Sequence, residues 1–168
     1  MSNFYDSTLP VIIHKLGNLK HICEVGAKHA ADLNIEETSL TGFRLYPDML
    51  PFTSQINICT DILCGMTARL TGVERFKLDD EVTSFDELIA RIDKTIEHLE
   101  SQNRRDYQGA ESKEVVLQTP VGDLKFTGNE YIANFVFPNL YFHITTAYNI
   151  LRNNGVKLGK SDYLKGAG

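Results

Sequence analysis

The chain of 168 residues has no tryptophan, three cysteines, five prolines and a modest excess of acid over base, with a formal charge of −5. Each scarcity excludes something. Cys23, Cys59 and Cys64 are odd in number and match no CxxC spacing, so neither a disulfide framework nor a zinc ribbon is expected. Buried apolar packing in a reducing compartment is the expected role of the three thiols. The absence of clustered Lys and Arg argues against a nucleic-acid partner or an anionic membrane surface. No apolar run approaches the length of a bilayer span, and the first twenty residues lack the pattern of a secretory signal, so a cytoplasmic location is expected. Glycine-rich phosphate loops, HExxH and nucleophile-elbow patterns are missing, as are internal repeats and linkers. One domain, 1–168, is the expectation.

What is present is helical periodicity. In residues 4–34, Leu9, Ile12, Ile13, Leu16, Leu19 and Cys23 form a stripe at three- and four-residue steps, with Asp6 or Ser7 as cap candidates and Pro10 in the first turn. His14 borders that stripe and is a candidate for an interior site, whereas His21 and His29 belong at an edge or in solvent. Residues 34–51 read as a connection in which Pro47 extends Tyr46. Asp48 is placed there to cap the next helix, or with Arg44 to line the mouth of a pocket. A second helix, 49–71, carries Phe52, Ile56, Cys59, Leu63, Met66 and Leu70 as a bundle seam, with Gln55 beside it. Gly65 and Ala68 are small enough for a close helix approach, and Gly72 is the stop. After the loop GVERFKLDDEVT, Ser84 and Glu87 form a capping box for a third helix, 85–103. Residues 114–119 and 123–127 alternate as two short strands around Pro120-Val121-Gly122.

The stretch from Gly128 to Gly155 is the central element. Thr127 and Glu130 make a second capping box, and Gly155 a left-handed stop. Between them Ile132, Val136, Leu140, His143, Ala147 and Ile150 share a face. Pro138 lacks an amide and crowds the carbonyl of Asn134, which requires a bend and a substitute donor. Asn139 and His143 follow one turn apart. Either Asn139 repairs the broken ladder and His143 is a hydrogen-bonded core histidine, or the two form the floor of a polar pocket inside a bundle. In the second case His143 is a general acid or base and Asn139 orients a substrate. The tail 157–168 is expected to pack along the bundle and then fray. Four helices with a hairpin before the last thus predict an all-α bundle.

The segments FYDSTLP (4–10), RLYPDMLPFTSQ (44–55), RLTGVE (69–74) and nearly all of 126–164 resemble an uncharacterised branch of the DinB/YfiT-like superfamily. The resemblance implies an up-down-down-up four-helix bundle, often a homodimer. Metal-binding members hold a divalent ion with one His of the second helix and an HxxxH pair of the fourth. Asn139 and His143 stand at the HxxxH positions, and Gln55 is nearest the second-helix ligand. His143 is then the remaining metal ligand of a degenerate site, with no cofactor or a weakly bound divalent metal. The implied functions are a small-molecule enzyme of isomerase or transferase type, with His143 and Asn139 catalytic and Asp48, Gln55, His14 and Arg44 binding substrate, or a noncatalytic dimeric ligand-binding or stress-related module.

Overall fold

A computed structural model describes residues 4–78, 82–120 and 122–166. Helix α1 (Phe4–Leu33) is followed by a single turn α2 (Glu37–Thr41), then α3 (Phe52–Thr71) and α4 (Phe85–Glu100). Two 3-10 turns, Arg104–Tyr107 and Ala110–Ser112, lead to the antiparallel strands β1 (Glu114–Thr119) and β2 (Gly122–Thr127). The register runs from Glu114 opposite Thr127 to Thr119 opposite Gly122. The last long helix comes in three pieces: α5 (Gly128–Tyr131), a π turn (Ile132–Val136) and α6 (Phe137–Asn153). A short α7 (Lys160–Lys165) ends the described chain.

Side-chain ties fix the helix directions. Thr60 and Thr67 of α3 meet Arg91 and His98 of α4, so equal steps along both helices coincide and α3 runs parallel to α4. Tyr5 and Lys20 of α1 meet Gln102 and Asp93, so α1 opposes α4. Gln55 and Arg69 of α3 meet His143 and Tyr131, so the last helix opposes α3. The bundle is therefore up-down-down-up, and its parallel middle pair requires the long connection after Thr71. Leu9, Leu16, Ile22, Phe52, Leu63, Ile92, Leu140 and Ile150 are among the residues filling the space between the four rods. Among the described residues no helix is long and apolar enough to cross a membrane.

Several local expectations hold. Both capping boxes form: Ser84 Oγ accepts from Glu87 N–H while Glu87 accepts from Ser84 N–H, and Thr127 and Glu130 do the same. Gly72 (φ 84°) and Gly155 (φ 86°) are the left-handed stops. Others are corrected. Asp48 does not cap α3. Pro47 and Asp48 occupy the corner of a turn closed by Met49 N–H donating to Tyr46 O (3.0 Å), and the helix starts after Pro51 with no side-chain cap. Neither Asp6 nor Ser7 caps α1, because the helix is already under way at Phe4: Asp6 pairs with Arg104 and Ser7 Oγ donates to Phe4 O. Helix α4 stops at Glu100, three residues early, as Asn103 caps the next turn. The tail does pack along the bundle as expected, with α1 supplying partners for α7, and it is helical there because Asp162 accepts from Gly159 N–H (2.7 Å). Gly65 gives its open side to Arg69 rather than to another helix. Val121, and residues 79–81 of the loop after Gly72, lie outside the described residues.

Candidate functional site

The π turn follows from Pro138. A straight α-helix would place its ring against the carbonyl four residues back. Here Phe137 N–H instead bonds to Ile132 O, five residues back, and Pro138 falls in the first turn of α6, where no amide is needed. Asn139 does act as a substitute donor, but to the carbonyl of Phe135 (2.7 Å) rather than that of Asn134. Its side chain is thus turned back on its own helix.

His143, one turn on, reaches across to α3. Its Nδ1 lies 2.7 Å from Gln55 Oε1. Gln55 is buried, and its Nε2 donates to Leu50 O at 2.9 Å. That bond fixes the rest. With the amide nitrogen committed to a carbonyl, the oxygen of Gln55 must face the imidazole, so Nδ1 carries the hydrogen and Nε2 keeps a lone pair. Burial alone holds the imidazole below its ordinary value, so it is neutral at pH 7. The half-buried His143 ring meets the exposed ring of Phe142 edge-on at 5.2 Å.

The structure brings together His143 and Gln55, with the carbonyl of Leu50 completing a relay. It does not bring in the other candidates. His14 is exposed, its Nε2 3.0 Å from Leu164 O, so it faces α7 rather than the interior. Arg44 is exposed and donates to Met49 O within its own loop, where Asp48 is exposed as well. His21 is half-buried and paired with Asp162 (2.9 Å). The Leu50 carbonyl had no sequence signal, being main chain, and Gln55 had only its place next to the seam.

The donor set decides what a metal would find. One imidazole is available, Gln55 Oε1 is taken by Nδ1–H, and Asn139 Nδ2 is taken by Phe135. Among the described residues no group of three or more His, Cys, Asp or Glu converges. A transition ion wants three such ligands, and amide oxygens are poor replacements. The residues here do not fit one.

Comparison with known proteins agrees with this architecture. The family described as Domain of unknown function (DUF1993) matches residues 4–164. A solved structure, that of a DinB family member protein from Shewanella denitrificans, superposes with a TM-score of 0.87 at 36% identity, covering 95% of this chain and 90% of that one. No curated protein matches.

Proposed function

The chain belongs to the DUF1993 family of DinB-like bundles, and from this premise we propose that His143 is the proton-transfer group of a small-molecule enzyme, of isomerase or transferase type, working without a metal. One observation carries the reading: the relay from Leu50 through Gln55 fixes His143 as the Nδ1–H tautomer. An imidazole that is neutral near pH 7 and has an oriented Nε2 holds a lone pair ready to take a proton. It accepts a proton from a substrate atom about 3 Å from Nε2 and returns it to a neighbouring atom. Asn139 Oδ1, one turn earlier, accepts a hydrogen bond from the substrate. The partner is a small molecule rather than nucleic acid or membrane, in keeping with the charge of −5.

A second reading keeps the site but not the chemistry. Leu50 and Phe142, which flank the relay, are 47% and 58% exposed, and Tyr46 in the same connection is 65% exposed. Apolar side chains left in water beside a polar pair suit a self-association seam, which would make the protein a noncatalytic dimeric module.

Fragment screening by chemical-shift mapping, together with sedimentation, separates the two. Under the first reading hits cluster at His143, and His143→Ala removes them while the fold and melting temperature survive. If His143→Ala unfolds while His143→Leu is as stable as the parent, the imidazole is a core group and the enzyme reading fails. A concentration-dependent dimer that buries Phe142 and shows no hits supports the second.

A further inference from the structure

The α3–α6 contact has a second polar tie at its other end. Arg69 lies fourteen residues beyond Gln55 on α3, about 21 Å along the axis. Its Nη1 donates to Tyr131 Oη (3.3 Å), and its guanidinium lies 6.0 Å from the centroid of that ring. Nη1 also fills the space that a Cβ on residue 65 would take, so Gly65 is what allows the arginine to lie down. Burial raises the Tyr131 phenol, which therefore stays neutral beside the cation. Tyr131 in turn stacks on Phe135 (5.6 Å, planes 13° apart), the two residues lying across the start of the π turn. Such turns recur at functional sites because they re-aim side chains.

These residues wall an open cleft of about 180 Å³ between α3, the hairpin and the start of the last helix. Arg69 and Arg75 supply its cationic side, and Ile62, Leu117 and Phe135 its apolar side. Asp61 is the acid present there, and its carboxylate is already held by the buried Arg91 at 2.8 Å. Arg75 is 3.9 Å from that carboxylate and donates to the Asp61 carbonyl at 3.3 Å. Arg69 has no carboxylate partner among the described residues. Two guanidinium groups thus face a small cleft, part polar and part apolar, with one acid, itself shared.

We propose that this cleft binds a small carboxylic acid with a planar apolar body, its carboxylate on Arg69 and Arg75 and its body against Ile62, Leu117 and Phe135. Guanidinium is suited to a carboxylate because its fork matches the two oxygens. In size alone the open cleft matches a single ring, a closed cavity of about 150 Å³ being enough for benzene. Tyr131 lines the cleft next to Arg69 and is a positioning residue here: its hydroxyl sets the angle of the guanidinium.

The test is titration of the full chain with benzoate, its neutral isostere benzamide, and inorganic phosphate, read by calorimetry and by amide shifts. Benzoate is expected to bind with shifts at Phe135, Leu117 and Arg69, and benzamide at least tenfold more weakly. Arg69→Gln and Arg75→Gln should each weaken benzoate about tenfold or more, and Tyr131→Phe several-fold. Arg75 is largely exposed, so its variant remains informative if Arg69→Gln fails to fold. Equal binding of benzamide, unchanged affinity in Arg75→Gln, or shifts clustered at His143 would each overturn the assignment. Tighter binding of phosphate than of benzoate would overturn it in favour of a bare anion site.

Discussion

His143 and His98 are two histidines whose protonation folding opposes, and each does so through burial. His98 donates or accepts at Thr67 Oγ1 (3.0 Å) and stacks on Phe76 at 4.5 Å, and burial holds its value low, as it does for His143. In the unfolded chain both titrate at about 6.5. Below that pH the unfolded state binds protons that the folded state refuses. The stability present above about pH 6.5 is therefore lost as pH falls toward the lower folded values, and then levels off. Urea melts between pH 8 and 5 should show this decline, with His143→Gln and His98→Gln each flattening it. A flat profile in the parent would mean that both rings protonate without penalty. At lower pH a second decline is expected, because main-chain N–H donors hold Glu87, Glu130 and Asp162 below the usual carboxylate range. Their contribution is present above about pH 4.5 and is lost as they protonate. Gln55→Leu tests the relay itself. It removes the acceptor of Nδ1–H and should destabilise by about 1–3 kcal/mol, since a half-buried donor is left unpaired. An unchanged midpoint would show that the imidazole finds another partner and that Gln55 does not fix its tautomer.

At the scale of elements, glycines separate what the sequence shows from what only packing shows. Gly128 opens α5, and a Cβ there would collide with the carbonyl oxygen of Ala110, which is main chain and cannot rotate away. Gly128→Ala should cost about 3 kcal/mol or more. Gly17, in the middle of α1, has open space where an alanine would place its methyl, with no atom within 4 Å, so Gly17→Ala should stabilise by about 0.5–1 kcal/mol through backbone entropy. Denaturant midpoints of the two variants should move in opposite directions. A mild effect at Gly128 would mean that the 3-10 turn ending at Ser112 yields easily. Both glycines look alike in sequence; what differs is a neighbour eighteen residues away. The long helices were legible because their apolar stripes and capping boxes are local. The single turn α2 was not, since five residues show no period. The π turn had a cause in plain view, Pro138, but a bend and a π turn answer a proline equally well on paper. At the candidate site, Gln55 stood beside its seam and His143 on the central stripe; that the two meet at 2.7 Å is set by how α3 and α6 pack, which neither stretch shows alone. Asn139 was legible only as a donor, because whether it bonds its own helix or faces a pocket depends on which carbonyl the π turn leaves within reach. His14 bordered an apolar stripe, yet it meets the C-terminal helix, part of the tail expected to pack along the bundle, rather than the interior.

For the molecule as a whole, the three thiols test whether the four rods unfold as one unit. Cys23 on α1 and Cys59 on α3 are both fully buried in the shared core, and burial pushes both thiols strongly up. Cys64 lies on α3 near Asp61, its thiol pushed from 9.0 to about 11, again chiefly by burial. Two pH units reduce the thiolate, the reactive form, by a factor of about 100 at pH 8. Reaction with a disulfide reagent therefore proceeds through opened states. Cys23 and Cys59 sit on helices brought together only by the tertiary fold, so each becomes reactive when the bundle opens globally. Their two rates at pH 8 should be equal, and both should slow by the same factor in Gly17→Ala. Cys64, on the part of α3 near Asp61 and Arg91, should react sooner, because local fraying there exposes it while the four rods stay together. Mass spectrometry of partly labelled protein reads the three sites separately. Unequal rates at Cys23 and Cys59 would show that α1 detaches from α3 before the rest yields, and the expectation of one cooperative domain would then be wrong.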